Sequence, residues 1–319
     1  MTTTAFVFPG QGSQFVGMAD AWLNASGQAD SLFQRACDVL QCDLKALVQS
    51  GPEEVLGQTQ WTQPALLVTA VAAWQGWQAA GGSMPDYLAG HSLGEYTALV
   101  CAGALDFDDA VALVHKRGQY MQSAVPEGQG AMAAILGLED QVIESVCEQV
   151  NADMGKDGAV SAANFNAPGQ VVISGHADAV RKATEKARQA GAKRVIPLAV
   201  SVPSHCSLMR LAAEKLAYDL QSVSLKAPKI PVVHNVTAKT CESEEEIRAL
   251  LVRQLFSPVR WTQTMQYLKD AGVESVIECG PGKVLSGLFK RFDRRWPTAS
   301  IQSPDDISKL DLNKRRNTA

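Results

Sequence analysis

The stretch GHSLG at residues 90–94 constrains this chain more than any other feature. The apolar residues 87–89 predict a strand before it, and residues 95–103 predict a helix after it. Glycines two residues either side of a serine let the backbone turn sharply, which exposes the hydroxyl and directs the next helix N-terminus at a developing oxyanion. GxSxG also arises by chance in glycine-rich chains, so the flanking elements carry the argument. The pattern predicts a nucleophile elbow at which Ser92 becomes acylated.

The composition limits the classes of protein that fit. The chain has 319 residues, 46% hydrophobic and 19% charged, enough for one large or two modest globular domains. It lacks a window of about 18 uncharged apolar residues, as a membrane span needs, so we expect a cytoplasmic protein that does not bind membranes. A formal net charge of −4 argues against general nucleic-acid binding. Seven scattered cysteines without metal-like spacing predict reduced structural thiols and no metal site.

Residues 128–200 differ in pattern from the rest of the chain. They read in turn as strand, helix, strand, strand, helix and strand, at residues 131–136, 139–153, 160–165, 170–174, 177–190 and 194–200. This β-α-β-β-α-β order predicts a ferredoxin-like unit inserted within a larger α/β domain. We expect the large domain to comprise residues 1–127 and 201–319, and the insert to comprise residues 128–200.

Two local signals concern the N-terminal part of the chain. An apolar strand at residues 5–8 leads into the glycine-rich turn PGQGS at residues 9–13. The turn fits neither a Walker pattern nor GxGxxG, which argues against a nucleotide site and leaves a close backbone approach near Gln11. Further on, Thr62 as N-cap and Pro64 in the first turn predict the start of a buried helix.

A serine nucleophile needs a base, and the chain has five histidines. His205 follows a predicted strand in the irregular segment SVPSH, at the carboxyl edge where open α/β sheets build their sites, so we predict it as the base. The others are predicted to be structural, with His91 supporting the elbow; they are His91, His115, His176 and His234. Arg117 lies on the helix after the one that Ser92 precedes, and antiparallel packing of two such helices would bring it to the serine.

Nine motifs stand in the order found in a known family, the malonyl-CoA:acyl carrier protein transacylases of fatty acid and polyketide synthesis. They are FVFPGQGSQ, TQPAL, GHSLGEYTAL, the KRG around Arg117, GAMAAILGL, NFNAPGQVVISG, VPSHC, SPVRW and ECGPGKVLSGL. The chain resembles this family over nearly its whole length. The resemblance implies an α/β fold with a hydrolase-like parallel-sheet large domain, a ferredoxin-like insert and an active site in the cleft between them.

The resemblance also implies roles for individual residues. Ser92 would be the acylated nucleophile and His205 the general base and acid, while Gln11 and the backbone N–H of Leu93 would form the oxyanion hole. Arg117 would bind the malonyl carboxylate, for which a rigid guanidinium fork is better suited than lysine. Without the resemblance, a solvated helix charge is the plainer interpretation of Arg117.

Further positions follow from the same resemblance. A main-chain carbonyl would orient the histidine, and the matching position is Gln254, shortly before SPVRW. Gln63, Asn164 and Asn166 are expected to line the cleft, and His91 to support it. No metal or cofactor is expected, because the substrates themselves carry coenzyme A and phosphopantetheine.

The implied partners are malonyl-CoA and acyl carrier protein, and we expect a monomer. Because the carrier would be acidic, its docking surface would be basic, and a solvated surface is the alternative interpretation of the candidates; these are Lys193, Arg194, Lys290, Arg291, Arg294 and Arg295. A serine thioesterase shares the elbow but gives Arg117 no role. A non-catalytic scaffold would be expected to have lost Ser92, His205 or Arg117, and all three are present.

Overall fold

A computed structural model of the chain has a parallel sheet, a small antiparallel sheet and helices on both, as the α/β prediction requires. It describes residues 2–25, 27–155, 158–198, 200 and 202–316. The strands are β1 (Thr4–Phe8), β2 (Tyr87–Gly90), β3 (Gly130–Leu136), β4 (Val160–Ala167), β5 (Gln170–His176), β6 (Arg194–Pro197), β7 (Val232–Val233), β8 (Ser275–Cys279) and β9 (Thr298–Ile301). The helices are α1 (Asp20–Ala25), α2 (Gly27–Leu40), α3 (Leu44–Ser50), α4 (Glu53–Leu56), α5 (Thr59–Ala79), α6 (Leu93–Cys101), α7 (Phe107–Ala124), α8 (Asp140–Met154), α9 (Ala177–Gln189), α10 (Arg210–Leu220), α11 (Glu244–Gln254), α12 (Trp261–Asp270), α13 (Val284–Phe292) and α14 (Pro304–Arg316).

The large sheet has the strand order β7-β2-β1-β8-β9, and every neighbouring pair is parallel. Alternate side chains of β1 enter two different cores. Phe6 and Phe8 pack on one face with helices that include α5 and α6, while Ala5 and Val7 pack on the other with α12 and α13. Parallel sheets are normally covered on both faces in this way. All the strands therefore end at one edge, where the loops after β1, β2 and β7 meet.

The small sheet has the strand order β4-β5-β3-β6 and is antiparallel throughout. With α8 and α9 as its helices, this is the predicted ferredoxin-like arrangement, which is confirmed. One face packs on the two helices through residues such as Ile135 and Ile173, and the other face carries Met132 and Val172. The last strand ends at Pro197, three residues earlier than predicted. Of the predicted domain limits, residues 1, 201 and 319 lie outside the described residues.

A short backbone bridge joins the small sheet to the segment between α11 and α12, which packs in a core beneath the large sheet. Phe165 of β4 donates its N–H to the Val259 carbonyl at 2.9 Å, and Val259 donates to the Ala163 carbonyl at 2.9 Å. These bonds form a parallel bridge centred on Asn164. Strand β4 of the small sheet is thereby fixed to the segment that precedes α12.

Helix α5 begins three residues before the predicted N-cap. Gln58 holds the cap position, and Thr62 lies inside the helix, where its hydroxyl bonds the Leu56 carbonyl. Pro64 is then an interior residue without an N–H for the Gln60 carbonyl four residues earlier. His115 of α7 supplies the missing donor, since its Nδ1 lies 2.9 Å from that carbonyl oxygen. This tertiary contact allows Pro64 to lie inside the helix, although proline in a sequence normally indicates the first turn.

Candidate active site

Ser92 lies in a sharp turn between β2 and α6. Its backbone has φ 52° and ψ −105°, a conformation that non-glycine residues rarely adopt. A Cβ at Gly90 would overlap the carbonyl carbon of Gly94, and a Cβ at Gly94 would overlap the carbonyl oxygen of Phe8. The two glycines therefore allow the helix to start directly against β1 and β2. This is the predicted strand–turn–helix elbow, with Ser92 at its apex.

His205 faces the serine from the segment before α10. Its Nε2 lies 2.8 Å from Ser92 Oγ, and its Nδ1 lies 2.7 Å from the main-chain carbonyl oxygen of Gln254. That carbonyl can only accept, so Nδ1 carries the proton and Nε2 is free to accept the serine proton. Burial, together with the positive charge of Arg117, lowers the pKa of His205 to about 3. The imidazole is therefore neutral at physiological pH.

Arg117 reaches the same serine from α7. Its Nη2 donates to Ser92 Oγ at 3.1 Å and to Gln254 Oε1 at 2.9 Å, while Nη1 donates to Gln63 Oε1 at 2.7 Å. The side chain is 1% exposed, and the ring of Tyr96 lies 5.3 Å from its guanidinium carbon. A buried cation held by two neutral amides and a hydroxyl is well prepared for a carboxylate.

A cavity of about 620 Å³ opens over Ser92. It is bounded on one side by the loop after β1 with Gln11, and on the other by the cleft face of the small sheet. Gln11 Nε2 donates to Thr59 Oγ1 at 3.3 Å. The apolar lining of the cavity includes Met121, Met132, Val172, Leu198, Val200, Val202, Val284, Leu285 and Leu288. The volume and the mixed lining suit an extended ligand with a polar reactive end.

The supporting residues take different positions around this cavity. His91 and Asn166 line it and contact each other, with 2.8 Å between His91 Nε2 and Asn166 Oδ1. Asn164 lines it too and is 6% exposed. Gln63 is 1% exposed and reaches the site through Arg117. Burial lowers the pKa of His91, so it is a neutral hydrogen-bonding group beside the serine.

The profile of a family described as "Acyl transferase domain" matches residues 5–294. The chain belongs to this acyltransferase family. It is 51% identical over 308 residues to the malonyl CoA-acyl carrier protein transacylase of Escherichia coli (strain K12), covering 97% of this chain and 98% of the relative. The resemblance drawn from the motifs is therefore confirmed.

Solved structures agree with the sequence comparison. The malonyl CoA-acyl carrier protein transacylase from Coxiella burnetii superposes with a TM-score of 0.94 at 48% identity, covering 97% of this chain and 96% of that one. A malonyl-transacylase in complex with its type II PKS acyl-carrier protein also gives a TM-score of 0.94, at 49% identity, covering 98% of this chain and 100% of that one. The acyltransferase fold thus extends over almost the whole chain.

Sequence reasoning missed the roles of Asn235 and Glu95, which lie directly behind the elbow, and it predicted His234 there only as a structural histidine. Asn235 Oδ1 accepts from the Ser92 backbone N–H at 2.7 Å, and its Nδ2 donates to the Gly90 carbonyl at 2.7 Å. Glu95 and His234 form a fully buried pair, with 2.7 Å between Glu95 Oε1 and His234 Nδ1. The position of Asn235 just after β7, at the carboxyl edge of the sheet, is the signal that could have identified it.

Two further observations concern metal ions and membrane spans. Among the residues that the structure describes, no three histidine, cysteine, aspartate or glutamate side chains are grouped so that they could hold a metal ion. No helix in the same part of the chain is long and apolar enough to cross a bilayer.

The six basic docking candidates are all exposed, and Arg291 Nη1 donates to Gln170 Oε1 at 3.1 Å. Gln170 lines the cavity and pairs with Leu136 of β3, which pairs on its other side with Arg194. Arg291 and Arg194 therefore lie near the same rim of the cavity.

Proposed function

We propose that this acyltransferase moves a malonyl group from malonyl-CoA to the phosphopantetheine thiol of acyl carrier protein, through a malonyl ester on Ser92. The observation that carries the proposal is the position of Ser92 Oγ, within hydrogen-bond distance of both a neutral histidine and a buried arginine. The first group is the base that acyl transfer needs, and the second is the cation that a malonyl carboxylate needs. The names of the relatives support the choice of acyl group and acceptor.

In the first half-reaction His205 Nε2 accepts the Ser92 proton while Oγ attacks the thioester carbonyl of malonyl-CoA. The tetrahedral oxyanion is bound by the backbone N–H of Leu93 and the side-chain amide of Gln11. The start of α6 at Leu93 supports this assignment, since N–H groups in the first turn of a helix have no partner within the helix. The thioester bond breaks, and His205 returns its proton to the departing coenzyme A sulfur.

Arg117 binds the malonyl carboxylate. Its low exposure supports this role, because a charge pair in a site closed to water is stronger than one at the surface. Binding has a second effect, since the charge of Arg117 is, after burial, one of the causes that lower the pKa of His205. A carboxylate that neutralises this charge raises the basicity of His205 when the serine proton must leave. The correct substrate thereby strengthens its own catalytic base.

In the second half-reaction the phosphopantetheine thiol enters the site that coenzyme A has left. His205 accepts the thiol proton, sulfur attacks the malonyl ester, and the proton returns to Ser92 Oγ as the ester bond breaks. No step changes a redox state or needs a metal ion. His91, Asn164 and Asn166 provide polar groups along the path to Ser92, and Gln63 and Gln254 hold Arg117.

Acyl carrier protein is proposed to dock on the basic rim near Arg291 and Arg194. The product would supply malonyl units for fatty acid or polyketide synthesis. The division into a large domain at residues 1–127 and 201–319 and an insert at 128–200 is part of the proposal, with the cleft between them as the binding site. The monomeric state and the cytoplasmic location stay predictions.

Intact-protein mass spectrometry after brief mixing with malonyl-CoA tests the proposal. The expected result is a malonyl adduct on the wild-type protein that is stable in buffer and moves to holo acyl carrier protein on addition. Ser92→Ala should give no adduct, because the acylated oxygen is absent. An adduct that is lost equally fast without the carrier would indicate a hydrolase. An adduct that persists in Ser92→Ala would contradict the assignment of the nucleophile.

A further inference from the structure

Glu95 is a buried carboxylate next to the elbow for which the proposed reaction has no use. It lies in the first turn of α6, is 0% exposed and accepts three hydrogen bonds. Oε1 accepts from His234 Nδ1 at 2.7 Å, and Oε2 accepts from Gln254 Nε2 at 2.8 Å and from the Asn235 backbone N–H at 3.0 Å. A buried charge is retained in a fold only where its hydrogen-bonding capacity is met.

Two of these three partners touch the reacting residues. The Gln254 side chain accepts from Arg117 Nη2 and donates to the Ser92 carbonyl at 3.0 Å, and its own main-chain carbonyl accepts from His205. The Asn235 side chain bonds the backbone N–H of Ser92. Glu95 is thus one hydrogen bond away from the two residues that hold the serine, the base and the guanidinium.

We propose that Glu95 is a positioning residue, which fixes the Gln254 amide so that Arg117 and Ser92 keep one relative orientation, and which balances the buried guanidinium charge until a substrate carboxylate arrives. The inference rests on the proposed function for its substrate, and its structural basis is the hydrogen-bond chain from Glu95 to Arg117.

The Gln254 amide gives this chain a direction. Its Nε2 must donate to Glu95 and to the Ser92 carbonyl, so its Oε1 is the atom that faces Arg117. Reversing the amide would turn an NH₂ group toward the guanidinium and a carbonyl oxygen toward a carboxylate. Glu95 and the Ser92 carbonyl together therefore determine which end of the amide Arg117 meets, because both can only accept hydrogen bonds.

The charges point the same way. The ion pairs among the described residues do not include Arg117, so its charge is buried without a directly bonded carboxylate. Burial lowers the pKa of Arg117, and the neighbouring Tyr96 and the negative charge of Glu95 oppose that shift. A carboxylate one amide away stabilises the cation and leaves its own position separate from that of the substrate. A direct ion pair would instead compete with the malonyl group.

The test is a double-mutant cycle that measures the rate constant of Ser92 acylation by malonyl-CoA. Glu95→Gln keeps the shape but has one acceptor oxygen for three donors, so we expect a loss of about tenfold to a hundredfold. In the Arg117→Ala background the same change should cost at most a few fold, since the group that it positions is gone. Equal losses in both backgrounds would overturn the proposal, because a purely structural role makes the two changes independent.

Glu278→Gln is the matched control. Glu278 is also 0% exposed, but it accepts from the backbone N–H groups of Leu285 and Ser286 at the start of α13. Glu278→Gln should lower the rate constant of acylation by the same factor in the wild-type and Arg117→Ala backgrounds. If Glu95→Gln does not fold, Gln254→Met takes its place. This change removes the side-chain amide that links Glu95 to Arg117 and retains the main-chain carbonyl that holds His205. It should slow malonyl-CoA much more than a fluorophosphonate, which labels serine without offering a carboxylate. Equal slowing of both reagents would contradict the inference.

The same fluorophosphonate separates this inference from the proposed function. If the wild-type protein is not malonylated, the proposed function fails, and labelling of Ser92 then reports on the hydrogen bonds by which Gln254 and Asn235 hold the serine. Slower labelling of Glu95→Gln than of Glu278→Gln would support the positioning role in that case. Labelling at the wild-type rate would overturn it.

Discussion

At the scale of single residues, the site depends on how three polar side chains share hydrogen bonds. Ser92 Oγ donates toward His205 and accepts from Arg117, so the nucleophile is held at both its proton and its lone pair. A main-chain carbonyl holds His205 at Nδ1. A carboxylate in that position would raise the basicity of the imidazole, and the neutral carbonyl does so less. The reactivity of this serine is therefore set by neighbours that are themselves neutral or positively charged.

The pH dependence of acylation follows from this environment. Burial and the charge of Arg117 lower the pKa of His205 to about 3 from 6.5, and a general base acts in its neutral form. We expect the rate constant for acylation by malonyl-CoA to stay level between about pH 5.5 and pH 8, as measured in single-turnover quench experiments. A rate that falls by half near pH 6.5 would show that His205 titrates like an ordinary exposed histidine.

Arg117→Ala is expected to change which acyl group the protein accepts. Without the guanidinium, the malonyl carboxylate loses charge-assisted hydrogen bonds, so the preference for malonyl-CoA over acetyl-CoA should fall by about a hundredfold or more. Competing turnover of the two thioesters measures the ratio. Arg248→Ala is a suitable control, because that guanidinium bonds the Val223 carbonyl away from the serine. Unchanged discrimination in Arg117→Ala would remove Arg117 from carboxylate recognition.

At the scale of elements, the elbow depends on the close approach of α6 to the first two strands. A Cβ at Gly94 would overlap the Phe8 carbonyl of β1, and backbone cannot move away as a flexible side chain can. The helix start, the strained Ser92 and the strand ends are therefore one interdependent unit.

Gly94→Ala should destabilise this unit by about 3 kcal/mol or more, the upper end of the cost of overpacking. Denaturant unfolding measures the loss, and fluorophosphonate labelling should slow in parallel because Ser92 is displaced. Gly287→Ala in α13 is the control. A Cβ there has open space, and alanine in a helix interior should add about 0.5–1 kcal/mol. A Gly94→Ala protein as stable as the wild type would show that α6 can shift away from β1.

The elements that the sequence predicted well are those with local signals. The elbow has its glycine spacing, and the small sheet has alternating strands and amphipathic helices. Strand β9 was missed because only Ile301 of its four residues is buried, which leaves no apolar run to detect. Strand β7 is equally hard to predict, because it pairs over only two residues, Val232–Val233. Helix α5 starts early because His115, more than fifty residues away in sequence, satisfies the carbonyl that Pro64 leaves free.

The same distinction applies to the site. Ser92 and His205 follow from the glycine pattern and from the carboxyl-edge rule, and Arg117 follows from the family motifs. The roles of all three stay predictions until acylation is measured. Asn235 has only its position after β7 as a sequence signal, and neither its role nor that of Glu95 can be read locally, because their bonds to Ser92 and Gln254 span 143 and 159 residues. Only the folded chain brings such groups together.

At the scale of the whole molecule, surface charge is distributed unevenly. The formal net charge is −4, yet the exposed residues Lys290, Arg291, Arg294 and Arg295 follow one another closely in and after α13. Arg291 is connected to the cavity rim through Gln170. An acidic protein that presents a basic rim at its active-site opening is suited to steering an acidic partner there.

Salt should therefore slow the two half-reactions unequally. Raising the ionic strength to about 0.5 M shortens the screening length and should slow transfer to the carrier several fold, with little effect on acylation by malonyl-CoA. Arg291→Glu should have the same selective effect at low salt, and both rates can be followed by mass spectrometry. Arg181→Glu is the control, because Arg181 lies on α9, on the far side of the small sheet from the cavity. Equal slowing by both variants would argue against docking at this rim.

The bridge between Val259 and β4 determines where this protein can be divided for chimeras. The small sheet has its own helices and core, so it invites exchange with that of a relative as a self-contained segment. Yet both backbone bonds of Val259 end on residues 163 and 165, which such a graft would replace. A graft junction that respects the backbone must move residues 257–261 together with β4, although almost a hundred residues separate them in the chain.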